Sequence, residues 1–294
     1  MKVIITGSSG FVGPWLRRAF SEHDVVGIDR HDAEHVADIL DFGEMKAVFS
    51  QEKPEWVVHL AAQSSVARSW EHPEETMNVN VEGTRNVLDA AGDAKVLVIG
   101  SAEVYGIPQI LPITEDHTLT PISPYGQSRK AQEKLVQEYI HRGKNIVISR
   151  SFSHTGPGQL PQFVCSEFAK AIAEIENGDR EEIIKTGDGS IKRDFTDVRD
   201  IVVAYRLALE KARPGVYNIC SGRSYSIRDI LDRLLEHSSA DVKIVEDETK
   251  IRKADIPDLC GDAGKFNKET GWKPEIRFSQ TLKDLLEYWR QHLS

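Results

Sequence analysis

An apolar strand that runs directly into three glycines is the feature that most constrains this chain. Residues 2–5 (KVII) lead into TGSSGFVG at 6–13, and helical periodicity follows from residue 15. Glycines at this spacing allow a tight turn, a close approach of backbone N–H groups to a phosphate, and close packing of the next helix. An ordinary glycine turn without a ligand is the other interpretation. We expect a bound dinucleotide, contacted by Gly7, Gly10, Phe11, Val12 and Gly13.

The second predicted strand indicates which dinucleotide is bound. This strand covers residues 24–29 and ends in Asp29, sixteen residues beyond Gly13. A carboxylate at this place accepts hydrogen bonds from both hydroxyl groups of an adenosine ribose and repels a 2′-phosphate, so NAD(H) is favoured over NADP(H). The neighbouring Arg30 could neutralise the carboxylate, which keeps NADP(H) open as a second cofactor.

Composition argues against several other classes of function. The 294 residues carry a formal net charge of −9, whereas a general binder of nucleic-acid backbones is expected to be basic. The three cysteines form no pattern for a structural zinc site or a disulfide framework. No apolar run approaches the ~20 residues of a membrane span, and the first strand follows Met1 at once. We expect a soluble, cytoplasmic protein with no metal, nucleic-acid or membrane partner.

Strand and helix patterns alternate through the first half of the chain. Apolar strands are predicted at 2–6, 24–29, 55–60, 95–100 and 144–151. Helices are predicted between them at 12–22, 42–51, 74–92 and 125–142. This alternation predicts an α/β fold built on a Rossmann-type, doubly wound parallel sheet.

The elements become shorter and less regular after residue 152. Helices are predicted at 163–177, 198–211, 226–237 and 279–292, and short strands at 182–186, 216–219 and 242–246. We expect an NAD-binding Rossmann domain over residues 1–152, to which segments near 190–220 return. The region 153–294 is expected to be mainly a smaller, mixed α/β substrate-binding unit over the carboxyl ends of the parallel strands.

Three polar residues stand where such a fold could carry out chemistry. Ser101 follows the strand at 95–100, and Tyr125 and Arg129 lie one turn apart on one face of the helix at 125–142. A fixed cation beside a phenol favours the ionised phenol, which makes proton transfer to a carbonyl oxygen efficient near neutral pH. Ser101 could hydrogen-bond the same oxygen. Each residue alone also fits an ordinary structural role, but their combination after a dinucleotide motif predicts a catalytic site.

The motifs together resemble a known family. TGSSGFVG, HLAA at 59–62, VYG at 104–106 and the segment around Tyr125 resemble the extended short-chain dehydrogenases/reductases that act on nucleotide sugars. SHTGPGQ at 153–159, RDFTDVRD at 193–200, YNICSG at 217–222 and TGWKP at 270–274 are similar to the GDP-4-keto-6-deoxy-D-mannose reductases, which make GDP-D-rhamnose. The resemblance implies that Tyr125 and Ser101 hold the sugar carbonyl at C4 and that NAD also contacts Asp38, Ile39, Leu60, Ala61 and Ala62.

Two positions depart from the family pattern. The family carries YxxxK, whereas here Arg129 stands at the lysine position and Lys130 is rotated by ~100° around the helix. Arginine keeps the charge and is expected to hold the nicotinamide-ribose hydroxyls, but its longer, planar group is not equivalent to lysine. Ser153 stands where relatives carry an asparagine that contacts the substrate phosphates. Arg193 and Arg252 match arginines that the family uses on the nucleotide diphosphate.

The loop after Ser101 bears on the type of reaction. Glu103 stands at the place of the base in sugar-nucleotide dehydratases, but Ala102 replaces the group that helps protonate the leaving oxygen. We therefore expect an NAD(P)H-dependent reductase of a nucleotide-linked, GDP-type 4-keto-6-deoxyhexose. The helices at 74–92 and 125–142 resemble the pair that family members use for a four-helix dimer interface, which implies a homodimer. The alternatives are a nucleotide-sugar 4-epimerase of the UDP-glucose type, a GDP-mannose 4,6-dehydratase and, in another class, a non-catalytic NAD-binding sensor or assembly protein.

Overall fold

The computed structural model describes residues 1–250 and 255–293 as an α/β protein. In chain order the strands are β1 (Lys2–Thr6), β2 (Asp24–Asp29), β3 (His35–Val36), β4 (Trp56–His59), β5 (Lys95–Ile99), β6 (Ile146–Ser151), β7 (Ser153–Thr155), β8 (Ile183–Thr186), β9 (Lys192–Asp197), β10 (Gly215–Ile219), β11 (Ser224–Ser226), β12 (Lys243–Glu246) and β13 (Asp258–Leu259). The α-helices are α1 (Gly13–Ala19), α2 (Phe42–Glu52), α3 (Val66–Glu71), α4 (Pro73–Ala90), α5 (Pro124–His141), α6 (Val164–Glu176), α7 (Val198–Glu210), α8 (Ile227–Leu235), α9 (Gly264–Thr270) and α10 (Phe278–His292). No helix in these two ranges is both long and apolar enough to span a bilayer.

A parallel sheet dominates the first part of the chain. Seven of the described strands form it, in the order β10-β6-β5-β4-β1-β2-β3. From β1 the chain winds one way to β3 and then the other way through β4 to β6, so the topological switch lies between β1 and β4. Ligands of open α/β sheets bind in the crevice outside the carboxyl ends of the strands at such a switch. The predicted Rossmann-type, doubly wound sheet is confirmed.

Helices cover both faces of this sheet. Ile4 faces a core formed with α2, α4 and α5, whereas its neighbours Val3 and Ile5 face a second core formed with α1 and α7. Successive residues of a strand point to opposite faces, so a strand that is buried on both sides is apolar throughout. This double burial is the reason that residues 3–5 of β1 are all apolar.

The chain after β6 builds smaller sheets and also returns to the large one. β9 pairs with β7, β11 and β13, and β8 pairs with β12. Helices α6, α8 and α10 enclose an apolar core in which Phe195 of β9 stacks on Phe278. In contrast, β10 pairs with β6 at the edge of the seven-stranded sheet, and Tyr205 of α7 is buried against that sheet.

The predicted elements agree with the observed ones to within three residues at either end. The prediction missed β3, β7, β11 and β13, each of two or three residues, because such short strands give no alternation signal. It also missed α3, α9 and β9. The sequence of β9, KRDFTD, is polar, yet Asp194 is buried because its carboxylate accepts hydrogen bonds from the amides of Ser221 and Gly222.

Candidate active site

The glycine loop between β1 and α1 has no room for side chains at two positions. Gly7 adopts a φ of +74°, and a Cβ atom there would lie 2.7 Å from the amide nitrogen of Ala61. A Cβ atom on Gly13 would lie 1.9 Å from the carbonyl oxygen of Ser8. Gly10 is exposed at the tip of the loop. The first and third glycines are therefore required by the close approach of the loop to β4 and to α1.

The backbone of this loop offers hydrogen-bond donors to a ligand. Within residues 1–250 and 255–293, the amides of Phe11 and Val12 donate to no protein acceptor, and α1 begins directly after Val12 without a side-chain cap. Such amides at a helix start bind phosphate groups. The loop therefore fits the pyrophosphate of a nicotinamide dinucleotide, and Phe11 and Val12 would hold it.

The carboxylate of Asp29 is fixed at the end of β2. Its Oδ2 accepts a hydrogen bond from the amide of Ser9 at 2.9 Å, and its Oδ1 accepts one from the amide of Arg30 at 2.7 Å. The Arg30 side chain is exposed. Ser9, which the sequence argument overlooked, also donates through Oγ to the carbonyl oxygens of His31 and Asp32, each at 2.9 Å. The glycine loop and the end of β2 thus form one hydrogen-bonded unit.

The other predicted cofactor contacts surround the same crevice. Leu60 and Ala61 follow β4, and both donate backbone hydrogen bonds to the carbonyl oxygen of Thr6 at 3.1 Å, with the half-buried Ala62 next in the chain. Asp38 lies after β3 and accepts a hydrogen bond from the amide of Leu40 at 2.9 Å.

The Ile39 side chain faces the protein interior. It is buried in the core with α4, where a Cβ on Gly83 would lie 2.4 Å from its Cδ1 atom. Any contact of Ile39 with a cofactor would therefore run through its backbone.

Helix α5 positions the predicted catalytic pair. The Oγ atom of Ser123 caps the helix by accepting from the amide of Gly126 at 3.0 Å, and the amide of Tyr125 donates to Ser69 Oγ at 3.1 Å. Nε of Arg129 donates to the phenolic oxygen of Tyr125 at 3.2 Å. Tyr125 is 7% and Arg129 is 4% exposed. The cation is thus held against the phenol in a nearly dry environment, as the i, i+4 spacing predicts.

Ser101 lies beside this pair at the end of β5. Nη1 of Arg129 donates to the carbonyl oxygen of Ile99, two residues before Ser101, at 3.0 Å. Ser101 is buried, and its Oγ accepts from the amide of Glu103 at 3.2 Å in a short 3-10 turn over Ala102–Val104. A hydroxyl that accepts in this way keeps its own proton for donation. Glu103 is half-buried in the same turn.

The predicted substrate residues lie on β7 and β9. Ser153 is half-buried and pairs with Phe195 in the parallel ladder of these strands. Arg193 is ion-paired with Asp255, and its Nη1 also donates to the carbonyl oxygen of Ile256 at 2.6 Å. The prediction for Arg252 lies outside the described residues.

Two contacts that sequence reasoning missed join the cofactor loop to the segment after β6. The rings of Phe11 and His154 stack with their centroids 6.3 Å apart, and Trp15 Nε1 donates to the carbonyl oxygen of Pro157 at 3.2 Å. Burial lowers the pKa of His154, and its Nδ1 lies 3.2 Å from the carbonyl oxygen of Phe152. His154 is therefore a neutral, packed histidine at neutral pH.

Comparison with known proteins identifies the family. A profile described as GDP-mannose 4,6 dehydratase matches residues 34–285. The chain is 32% identical over 304 aligned residues to GDP-6-deoxy-D-mannose reductase of Pseudomonas aeruginosa, with 99% of this chain and 98% of that protein covered. It is 30% identical over 303 residues to GDP-6-deoxy-D-talose 4-dehydrogenase of Aggregatibacter actinomycetemcomitans, with 100% and 98% covered.

Solved structures agree with this assignment over the full length of the fold. RMD from Pseudomonas aeruginosa, in complex with NADPH, superposes with a TM-score of 0.90 at 33% identity and 99% coverage of both chains. UDP-glucose 4-epimerase from Thermus thermophilus, in complex with NAD, gives a TM-score of 0.89 at 25% identity and 100% coverage of both chains. The chain therefore belongs to the GDP-mannose 4,6-dehydratase family and is an NAD(P)-dependent nucleotide-sugar oxidoreductase of the extended short-chain dehydrogenase/reductase type.

Proposed function

We propose that this protein reduces the C4 carbonyl of a nucleotide-linked 4-keto-6-deoxyhexose, converting GDP-4-keto-6-deoxy-D-mannose to GDP-D-rhamnose. The observation that carries the proposal is the hydrogen bond from Nε of Arg129 to the phenolic oxygen of Tyr125, next to the end of β5 where Ser101 lies. This pair suits proton donation to a carbonyl oxygen. Full-length similarity to a GDP-6-deoxy-D-mannose reductase supports the choice of substrate.

The residues of the site divide the work of this reduction. A bound NADH or NADPH supplies the hydride that the sugar C4 atom receives. Tyr125 gives its phenolic proton to the carbonyl oxygen, so that the ketone becomes a hydroxyl group and the guanidinium of Arg129 stabilises the phenolate left behind. Ser101 donates its hydroxyl proton in a hydrogen bond to the same oxygen, because the hydrogen bond that its Oγ accepts from the amide of Glu103 does not use that proton.

The turn after Ser101 favours reduction over dehydration. Ala102 is 1% exposed and packs with Val104 and Tyr105 in an apolar cluster. Its methyl group cannot donate a proton to a leaving C6 oxygen. Glu103 is present in the same turn, but without a proton donor at position 102 the elimination of water from GDP-mannose is expected to be slow.

Arg193 is proposed to hold the diphosphate together with Arg252. A guanidinium has five N–H groups, and Arg193 uses three of them on Asp255 and on the carbonyl oxygens of Lys192 and Ile256. Counting contacts with residues 1–250 and 255–293, two N–H groups thus remain for phosphate oxygens. The contact with Asp255 anchors the side chain on β9, so Arg193 would need little ordering when the substrate binds.

Product analysis with three substrates tests the proposed reaction. With GDP-4-keto-6-deoxy-D-mannose and NADH, we expect one NADH to be oxidised per sugar, with a GDP-6-deoxyhexose identified by mass spectrometry. With GDP-mannose and NAD, we expect little 4-keto product. Robust dehydration of GDP-mannose, or interconversion of UDP-sugar C4 epimers without net NADH oxidation, would overturn the proposal and leave the family assignment intact. The Tyr125→Phe variant controls for contaminating activity.

We also propose that the protein forms a homodimer through α4 and α5. The two helices pack side by side. They resemble the helix pair through which members of the extended short-chain dehydrogenase/reductase family form dimers. Trp70 on α3 and Met77 on α4 are large apolar side chains that are 52% and 38% exposed. Sedimentation velocity should give a dimer for the wild type, and Met77→Glu should shift it toward the monomer. A monomeric wild type at micromolar concentration would contradict this proposal.

A further inference from the structure

A chain of buried hydrogen bonds extends from the catalytic tyrosine into the protein interior. Nη1 of Arg129 donates to Oε1 of Gln132 at 3.0 Å, and Nε2 of Gln132 donates to Oγ1 of Thr84 at 2.7 Å. Nε2 of His59 lies 3.0 Å from the same Oγ1 atom, and Nδ1 of His59 lies 2.7 Å from Oγ1 of Thr6. Gln132 and His59 are each 1% exposed, and Thr84 and Thr6 are fully buried.

The donors in this chain have one consistent direction. Thr84 gives its hydroxyl proton to the carbonyl oxygen of Asn80 at 2.7 Å, so its oxygen must accept from both Gln132 and His59. Arginine has donors alone, so the oxygen of the Gln132 amide must face Arg129 and the nitrogen must face Thr84. A glutamine can accept from Arg129 and donate to Thr84 at the same time. If its amide were flipped, the NH2 group of Gln132 would face the N–H groups of Arg129, and two donors would oppose each other.

His59, in its neutral form, makes the last two hydrogen bonds of this series. Burial, helped by the charge of Arg129, lowers the pKa of His59 to about 3. The neutral ring donates through Nε2 to Thr84 and accepts at Nδ1 from the hydroxyl group of Thr6. The chain behind Gln132 is therefore uncharged and fully paired, which makes it a rigid support for the amide rather than a path for protons.

We infer that Gln132 is a positioning residue that fixes the guanidinium of Arg129 against Tyr125 and toward the cofactor. Arg129 spends three of its N–H groups on Tyr125, Ile99 and Gln132, and within the described residues its Nη2 has no protein partner. Nη2 is left for the ribose of the cofactor. The arginine side chain has several rotatable bonds, and a hydrogen bond to Tyr125 alone would not fix its conformation. The additional hydrogen bonds to Gln132 and to the carbonyl oxygen of Ile99 restrict it.

Gln132→Met tests the inference, because it keeps the length of the side chain and removes both hydrogen bonds. The inference rests on the proposed reductase function for one measurement, kcat. The second measurement, the Kd of NADH, depends on cofactor binding alone. We expect kcat to fall by about 10- to 100-fold, as for one hydrogen bond to a charged group, and the Kd of NADH to rise about tenfold. Gln137→Met, on the same helix and bonded to Glu133 instead, should change neither value.

A double-mutant cycle separates positioning from a merely structural role. If Gln132 acts through Arg129, Gln132→Met added to Arg129→Met should change both kcat and the Kd of NADH by less than about twofold. Equal effects of Gln132→Met in both backgrounds would overturn the inference. If Gln132→Met does not fold, Gln132→Asn, which shortens the side chain but stays polar, replaces it in the same cycle.

The two readouts keep this inference apart from the proposed function. A wild type that binds NADH but does not oxidise it with the 4-keto sugar would reject the proposed reaction. The cycle measured on NADH affinity would still decide the role of Gln132. Additive losses in that affinity, measured by fluorescence titration, would reject the positioning role even if the reductase activity is confirmed.

Discussion

The backbone amide of Ser9 donates to Oδ2 of Asp29 at 2.9 Å, which ties the glycine loop to the carboxylate at the end of β2. The carboxylate is therefore fixed where the adenosine ribose of a dinucleotide would lie. A negative charge there costs a 2′-phosphate several kcal/mol unless a cation intervenes. We expect NADH to bind at least about tenfold more tightly than NADPH, as measured by fluorescence titration.

The Asp29→Ala variant should reduce the difference in affinity between the two cofactors, because NADH should bind more weakly and NADPH more tightly. Arg30→Ala serves as the matched control, because the Arg30 side chain is exposed and contacts the carboxylate through its backbone amide alone. Arg30→Ala should leave the NADH affinity nearly unchanged and should not improve NADPH binding. Equal affinities of the wild type for the two cofactors would contradict the role given to Asp29.

Removing the phenolic hydroxyl of Tyr125 should stop proton donation and leave the cofactor in place. We expect Tyr125→Phe to slow reduction by ~10²–10⁴-fold with little change in the Kd of NADH, because the ring still fills its buried position. The measurement is NADH oxidation under saturating substrate. A Tyr125→Phe enzyme that turns over at the wild-type rate would show that the proton comes from another group.

Substitutions of Arg129 should distinguish charge from shape. Arg129→Lys restores the family pattern and keeps a cation near the phenol, so we expect activity to be retained or raised. Arg129→Met removes the charge and the hydrogen bond to Tyr125, so most activity should be lost. Lys130→Met, an exposed neighbour on the same helix, should have little effect on turnover. Full activity of Arg129→Met in a steady-state assay would argue against a role for the cation.

A buried ion pair below the site should be more important for stability than for turnover. Nη2 and Nε of Arg150 donate to the two carboxylate oxygens of Glu133 at 2.6 and 2.9 Å, and both side chains are almost fully buried. Arg150→Met should lower the free energy of unfolding by about 3–5 kcal/mol, because the buried Glu133 carboxylate is left without its cationic partner.

The double variant Arg150→Met/Glu133→Leu should recover most of that loss in urea unfolding. The exposed pair Arg228 and Asp232 provides the comparison, since both side chains lie about half in solvent. Arg228→Met should cost less than about 1 kcal/mol. A similar cost for both pairs would mean that burial does not govern the ion pair at Arg150.

The buried His59 should make the protein lose stability in mild acid. Burial and the charge of Arg129 lower the pKa of His59 from 6.5 to about 3 in the folded state. Between these two pH values the unfolded protein binds a proton at His59 that the folded protein does not bind, so protonation favours unfolding. The contribution of neutral His59 to the free energy of unfolding is therefore fully present above pH 6.5 and is lost as the pH falls. The slope is about 1.4 kcal/mol per pH unit, or about 2 kcal/mol between pH 7 and pH 5.

Urea unfolding at several pH values should show this slope, and His59→Gln should flatten it. His292, which is exposed near the end of α10, provides a control substitution at the same residue type. His292→Gln should leave the slope unchanged. Parallel pH curves for the wild type and His59→Gln would mean that His59 does not carry the acid sensitivity.

Sequence patterns predicted the large sheet well because each of its longer strands contains a short apolar stretch, such as residues 3–5 in β1 and 146–148 in β6. β1 and β6 are buried on both faces, so local composition alone identifies them. The small sheets were predicted less well. β9 is polar, and its buried Asp194 is stabilised by amides near residues 221 and 222, which no local pattern reveals.

In the candidate site, contacts between residues close in sequence could be predicted, whereas contacts between residues far apart in sequence could not. Tyr125 and Arg129 are one helical turn apart, so their hydrogen bond could be predicted from spacing. The contact between Trp15 and Pro157 joins residues 142 positions apart, and the one between Gln132 and Thr84 joins residues 48 positions apart. Such pairs depend on how helices and strands pack, which periodicity in a single sequence does not encode.

The path of the chain also limits how the nascent protein can fold. The edge strand β10 (Gly215–Ile219) pairs with β6, and α7 covers one face of the large sheet, although both come after the first strands of the smaller sheets. A fragment that stops near residue 152 would expose the unpaired edge of β6 and an uncovered apolar sheet face. On the ribosome, the nucleotide-binding sheet is thus completed only after residue 219 has been synthesised, and until then β6 presents an unpaired edge to other chains.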